Sequence, residues 1–139
     1  MIVLDTNVLS EEIRLAPSPK VLRWFEKQTP VSVFTTAVSQ AEMLYGLESL
    51  PAGRRRSALQ LAIEKVFGEE FAGRILPFDE DAARVFGQIV ARRDALGRPI
   101  SQFDAMIAAI ARSRRATLAT RNMADFQECG LKIVDPWAG

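Results

Sequence analysis

The chain has 139 residues, of which 48% are hydrophobic and 25% are charged, and its formal net charge is +1. This length and composition predict one globular domain over residues 1–139 and exclude a disordered chain. With no histidine and one cysteine, catalysis by histidine, internal disulfides and cysteine-rich zinc sites are excluded. The single cysteine, together with the lack of a charged leader and of a membrane-length apolar run, predicts a cytoplasmic protein without a membrane segment.

Short apolar segments alternate with amphipathic stretches along the chain. The first strand, residues 2–4, ends at Asp5-Thr6-Asn7, where the chain is expected to turn. Further strands are predicted at residues 31–34, 74–78, 117–120 and 131–134. Helices are predicted to begin at Ser18-Pro19, after Thr35-Thr36, at Arg54, at Asp79 as an N-cap, and at Ser101. This alternation predicts a parallel sheet covered on both faces, a three-layer α/β/α fold.

A helical hairpin is predicted around Pro51-Ala52-Gly53, because this breaker leaves only a short connection between two helices. Apolar side chains on the outside of the hairpin would lack cover in a monomer, which predicts a homodimer. The basic run 54–56 is interpreted as a solvated helix start rather than a phosphate site.

Four acids fall at one edge of the predicted sheet. Asp5 ends the first strand, Glu42 lies in the first turns of the helix after the second strand, and Asp125 follows the fourth strand. The helix that carries Asp104 feeds the fourth strand, so it must begin at the edge where the strands end. Acids that are far apart in sequence are therefore expected to converge.

Each acid also fits a helix cap. Glu42 and Asp104 each lie three residues after a serine, the spacing of a capping box, and residues 122–125 have similar spacing. The helical faces favour a site instead, because Asp104 shares its face with Ala108, and Glu42 shares its face with Tyr45. Both acids are expected to point inward, where an ionised carboxylate needs a partner.

A divalent cation is the natural partner of such a cluster, because several carboxylates in one cleft repel one another. Oxygen ligands without histidine or a thiolate cluster favour Mg²⁺ or Mn²⁺ over zinc. Such an ion lowers the pKa of bound water from about 15.7 towards about 7. Phosphodiester hydrolysis is therefore the leading chemistry, and Arg121, beside the acids, is the predicted phosphate contact.

Several short motifs follow one another in the order of a known family. They are Asp5-Thr6-Asn7, Ala41-Glu42, residues 71–79, Asp104, residues 120–126 and Asp135-Pro136-Trp137. With them the chain resembles PIN-domain proteins, in particular the VapC toxin ribonucleases and their FitB-like branch. The resemblance implies a sheet of order 3-2-1-4-5, a Mg²⁺- or Mn²⁺-dependent endoribonuclease, and a homodimer. It also implies inhibition by a small DNA-binding antitoxin, with which the dimer would form a larger assembly.

The same resemblance assigns roles to the acids by matching position. Asp5 and Asp104 would contact the metal directly. Glu42 and a fourth acid would act through metal-bound waters, and the side chains of Thr6 and Asn7 would support them by hydrogen bonds.

The fourth position has two candidates, Asn122 and Asp125. Some relatives carry an acid where this chain has Asn122. Asp125 is the preferred residue, because a carboxylate binds a hard cation better than an amide does.

Two other functions fit parts of the pattern. A phosphatase-like domain could use Asp5 as a nucleophile, but the resembling phosphatases place a second Asp where this chain has Asn7. A non-catalytic module could use the acids as caps or to grip a basic partner segment. Saturable uptake of Mn²⁺ would separate the metal-dependent enzyme from a pure binding module.

Overall fold

The computed structural model describes residues 1–138 and has a five-stranded parallel sheet at its centre. The strand order is β3-β2-β1-β4-β5, which confirms the predicted fold class and order. The strands are β1 Ile2–Leu4, β2 Val33–Thr36, β3 Ile75–Leu76, β4 Thr117–Ala119 and β5 Ile133–Val134. Central β1 pairs with β2 on one side and with β4 on the other, so the residue that follows β1 lies in the middle of the sheet edge.

Six α-helices surround the sheet within residues 1–138. They are α1 Thr6–Glu11, α2 Pro19–Glu26, α3 Ala37–Glu48, α4 Arg54–Lys65, α5 Glu80–Ala95 and α6 Gln102–Ser113. Predicted caps begin two of them: the side chain of Asp79 accepts from Ala82 N at 3.0 Å, and that of Ser101 accepts from Asp104 N at 3.2 Å. Gly97, at φ 68°, follows the last turn of α5, where a left-handed residue ends a helix without steric cost.

Several local predictions are wrong. The chain does not turn after β1 but enters α1 at once, because the carboxylate of Asp5 accepts from Thr6 N at 2.8 Å and caps the helix. The second strand begins two residues later than predicted, because Pro30–Ser32 forms a 3-10 turn. Strands β3 and β5 are also shorter than predicted, with two residues each.

Both faces of the sheet are covered. On one face, α5 and α6 pack apolar side chains such as Ile89 and Ile107 against Val3 and Leu118. On the other face, α1, α3 and α4 bury a second cluster that contains Leu4, Val8, Leu9, Met43 and Ile63. Within residues 1–138, no helix combines the length and the apolar character needed to cross a membrane.

The predicted hairpin is formed by α3 and α4, which contact each other. Arg56 closes its turn, since the guanidinium donates to Leu50 O at 2.9 Å and to the carboxylate of Glu48 at 3.0 Å. The outer side of the hairpin carries Tyr45 and Leu61, which are 71% and 68% exposed. These side chains lack cover in a single chain, as the sequence predicts.

Candidate active site

Asp5 lies at the carboxyl end of β1 and is 5% exposed. One carboxylate oxygen accepts from Thr6 N at 2.8 Å, and the other accepts from Thr120 Oγ1 at 2.8 Å. Burial raises the pKa of Asp5 to about 6, with smaller contributions from the negative charges of Asp104 and Glu42, while the two hydrogen bonds oppose the rise. An ionised Asp5 is thus costly to the metal-free protein, and a nearby cation would remove that cost.

Glu42 is tied to the start of α1. The hydroxyl of Thr6 donates to Glu42 Oε1 at 2.8 Å and lies 2.9 Å from Ser39 Oγ, which is buried. The proposed capping box at residues 39–42 is wrong, because Thr36 is the N-cap and its side chain accepts from Ser39 N at 3.0 Å. Glu42 therefore does not cap α3, and its carboxylate faces Thr6, the residue after Asp5.

The inward face predicted for Glu42 is only partly correct. Glu42 is half-buried, but Tyr45, one turn later, is exposed. The reason is that, past its first turn, α3 buries Met43 and Leu47, which lie on the opposite side of the helix from Tyr45.

Asp104 lies in the first turn of α6 and is half-buried. Burial raises its pKa, and the negative charge of Asp125 raises it further, whereas a hydrogen bond with Ser101 and the positive charge of Arg93 lower it. Asp104 is therefore within electrostatic reach of Asp125 as well as of Asp5.

The fourth corner is a 3-10 turn, Met123–Phe126, that follows β4. Asn122 is anchored by its backbone, since its N–H donates to Thr120 Oγ1 at 3.0 Å, and its side chain makes no capping bond to the turn. Asp125 is exposed, and its charge acts on Asp104. This proximity supports the choice of Asp125 over Asn122, which stays a prediction.

Arg121 is held at the same edge. Its backbone N–H donates to Asn7 Oδ1 at 3.4 Å, and its guanidinium carbon lies 4.9 Å from the ring centroid of Trp137. The side chain is exposed, so its charge stays accessible while the indole limits its rotation. Asn7 and Trp137 thus position the guanidinium of Arg121 next to the acids.

Three residues of this edge make contacts that were not predicted from the sequence. Thr120 donates to Asp5, Ser39 contacts Thr6, and Arg93 binds the backbone around Asp125. A signal for Arg93 was present, because it lies four residues after Ile89 on the apolar face of α5. For Thr120 and Ser39 no such signal exists, because each acts on a residue from a distant part of the chain.

The acids fit a cation that keeps part of its water shell. No group of three or more candidate ligands among residues 1–138 is close enough to form a ready-made cage. Mg²⁺ is usually bound by one or two carboxylates together with several waters, and the coupled pair Asp5 and Asp104 matches that donor set.

The fold and this acidic edge define a three-layer α/β/α protein with carboxylates at the end of its central strand. The PIN domain family matches residues 2–129. The chain therefore belongs to the PIN-domain family, which confirms the predicted resemblance. PIN-domain nucleases generally depend on a divalent metal ion.

Relatives of known type match this chain over its full length. It is 39% identical to VapC ribonuclease Y4jK of Sinorhizobium fredii, over 99% of this chain and 98% of the relative. It is 36% identical to toxin FitB of Neisseria gonorrhoeae, over 99% of each chain. These relatives belong to the VapC and FitB groups that the motifs indicate.

Solved structures show the same similarity. A chain in the structure of FitAB bound to the IR36 DNA fragment has a TM-score of 0.91 and 36% identity, covering 99% of this chain and 96% of that chain. A chain of VapBC-5 from Mycobacterium tuberculosis, a member of the VapBC family of toxin–antitoxin systems, has a TM-score of 0.71 and 27% identity, covering 96% and 94%.

Proposed function

We propose that the chain is an endoribonuclease, the toxin of a toxin–antitoxin pair, which hydrolyses RNA phosphodiesters with Mg²⁺ or Mn²⁺. The observation that carries this proposal is the meeting of Asp5, Glu42, Asp104 and Asp125 at one edge, with Asp5 buried and within electrostatic reach of Glu42 and Asp104. The ribonuclease and toxin names of full-length relatives support it. Such a toxin would act in the cytoplasm, where it meets cellular RNA.

Each acid has a distinct task in this proposal. Asp5 and Asp104 would hold the cation, which, when bound, would supply charge neutralisation at the phosphate and lower the pKa of a water. Glu42, oriented by Thr6, and Asp125 would orient the attacking water and accept its proton. Thr120 fixes the rotamer of Asp5 through its hydrogen bond, so that the carboxylate is placed before the cation arrives.

Cleavage of a labelled RNA tests the proposal. The wild-type protein should cut it with Mg²⁺ or Mn²⁺ and stop when EDTA is added. Asp104→Ala should lose the activity while circular dichroism shows a folded chain. Cleavage by either protein in excess chelator would contradict a metal-dependent mechanism.

Arg121 is proposed to contact an RNA phosphate. Arg121→Ala should weaken binding to all RNA sequences alike and reduce the slope of log affinity against log salt by about 1. Filter binding at several salt concentrations measures this slope. Arg84, an exposed arginine on α5, is the matched control, and an equal loss in Arg84→Ala would remove the specific role of Arg121.

The similar structures and the exposed hairpin indicate two kinds of partner. We propose a small DNA-binding antitoxin, in line with the FitAB complex on DNA and the VapBC toxin–antitoxin family of the similar structures. We also propose a homodimer, which would cover Tyr45 and Leu61 on the hairpin and could join a larger assembly with the antitoxin.

Light scattering tests the dimer. At micromolar concentration we expect twice the mass of one chain, and we expect Tyr45→Arg to return the mass of a monomer because a charge would be buried in the interface. Ala83→Arg, an exposed change on α5 and outside the hairpin, serves as the control. A wild-type monomer under these conditions would contradict the dimer.

A further inference from the structure

Arg93, near the end of α5, is a buried arginine whose side chain binds backbone carbonyls. It is 6% exposed. Its Nε donates to Arg98 O at 2.6 Å, and its Nη1 donates to Asp125 O at 2.7 Å and to Gln127 O at 3.1 Å. Among residues 1–138 it forms no salt bridge. A buried cation is costly unless its surroundings compensate its charge.

The carbonyls that Arg93 binds belong to two segments that carry acids. Arg98 lies in the loop that leads into α6, where Asp104 occupies the first turn, and Arg98 N also donates to Arg93 O at 2.9 Å. The other two carbonyls flank Phe126, at the end of the turn that holds Asp125. One planar guanidinium therefore connects the Asp104 segment to the Asp125 segment.

Backbone hydrogen bonds within the turn at Met123–Phe126, such as that from Asp125 N to Asn122 O at 3.1 Å, do not reach α6. Its position relative to α6 must therefore come from contacts outside the turn. The buried side chain of Phe126 supplies an apolar contact. The hydrogen bonds of Arg93 add a directional contact, because a guanidinium group fixes angles as well as distances.

We propose that Arg93 is a positioning residue that sets the separation of the Asp104 and Asp125 carboxylates. This inference rests on the proposed function, because it gives Asp125 a task that depends on its distance from Asp104. Arg93 touches neither substrate nor cation in this account and acts only through the two segments that it joins.

A double-mutant cycle tests the proposal with Arg93→Lys, Asp125→Asn and the double variant. Lysine keeps the charge but cannot span the three carbonyls. Each protein is assayed for kcat on a labelled RNA and for the Kd of Mn²⁺ by calorimetry. Arg92→Lys is the matched control, since Arg92 is the adjacent residue, is 60% exposed and pairs with Glu128 on the surface.

We expect Arg93→Lys to lower kcat on the order of 10- to 100-fold, because a displacement of about 1 Å in a catalytic group has an effect of that size. In the Asp125→Asn background the same change should lower kcat less than about 3-fold, since two residues that act as one unit are not additive. Arg92→Lys should leave kcat within about 2-fold in both backgrounds.

Equal effects of Arg93→Lys in both backgrounds would overturn the proposal, because a general loss of stability does not depend on Asp125. If Arg93→Lys does not fold, the cycle is repeated with Arg93→Gln in a stabilising osmolyte. Failure of both variants to fold would also overturn the proposal, because Arg93 would then be needed for folding alone.

If the wild type binds Mn²⁺ but cuts no RNA, the proposed function fails. Non-additive effects of the two substitutions on the Mn²⁺ affinity would still support the role of Arg93.

Discussion

Asp5→Asn is expected to stabilise the metal-free protein at pH 7 and to abolish RNA cleavage. Burial raises the pKa of Asp5 from 3.8 to about 6, and a rise of about 2 units corresponds to roughly 3 kcal/mol of unfolding free energy lost when the group is ionised. Asparagine removes this charge but cannot accept both hydrogen bonds equally well, which costs about 1 kcal/mol. The net gain should be about 2 kcal/mol, measured by urea unfolding in EDTA.

The pH dependence of stability follows from the same shift. Between about pH 4 and pH 6, the folded state keeps a proton on Asp5 that the unfolded state has released. The stability of the metal-free wild type should therefore fall as pH rises through this window, and the fall should be smaller in Asp5→Asn. Asp81, an exposed acid on α5, provides the control variant Asp81→Asn. An unchanged slope in Asp5→Asn would show that the burial of Asp5 has no such cost.

A bound divalent cation should raise the free energy of unfolding by a similar amount. At a Mn²⁺ concentration of about 100 times Kd, binding to the folded state alone adds about 2.7 kcal/mol. For a chain of this length that corresponds to a rise in Tm of roughly 5 to 10 °C. Differential scanning fluorimetry with increasing Mn²⁺ should show a saturable shift, because relief of repulsion between Asp5 and Asp104 stabilises the folded state alone.

The variants make this second prediction specific. Asp5→Asn and Asp104→Asn should each remove most of the Mn²⁺-dependent rise in Tm, whereas Asp81→Asn should retain it. A shift of equal size in all three variants would place the bound cation elsewhere on the chain, and no shift in the wild type would favour a binding module without a metal.

Much of the fold was predictable because its signals are local. Alternating strands and helices indicated the three layers, and the caps at Asp79 and Ser101 were predicted correctly. The order of the strands came from the resemblance, since pairing between distant segments leaves little trace in one sequence. The start of α1 was missed because Asp5 reads equally well as the end of a strand and as an N-cap.

The site shows the same division between local and distant information. Because parallel strands end at one edge of a sheet, Asp5, Glu42 and Asp104 were predicted to lie together. The structure brings Glu42 and Asp104 within electrostatic reach of Asp5. The bonds that hold them, from Thr6 to Glu42 and from Thr120 to Asp5, join residues 36 and 115 positions apart. Such pairs depend on tertiary packing.

The neighbours Arg92 and Arg93 illustrate what residue type alone leaves open. Both are arginines near the end of α5, yet Arg92 is exposed and binds Glu128, whereas Arg93 is buried against backbone carbonyls. Adjacent residues of an α-helix point about 100° apart, so Arg93 lies on the packed side of α5 while Arg92 faces solvent. Helical spacing from Ile89 indicates the buried one, but its acceptors are known only from the structure.

Asp5 is proposed to belong to a cation site at which RNA is cut. The most direct test of this proposal is a single-turnover cleavage assay of one labelled RNA by wild type and Asp5→Asn, each with Mn²⁺ and with EDTA. We expect cleavage only by the wild type with Mn²⁺, and at least about 10³-fold less in Asp5→Asn, even though that variant is the more stable protein. Comparable cleavage by Asp5→Asn, or by the wild type in EDTA, would contradict this claim.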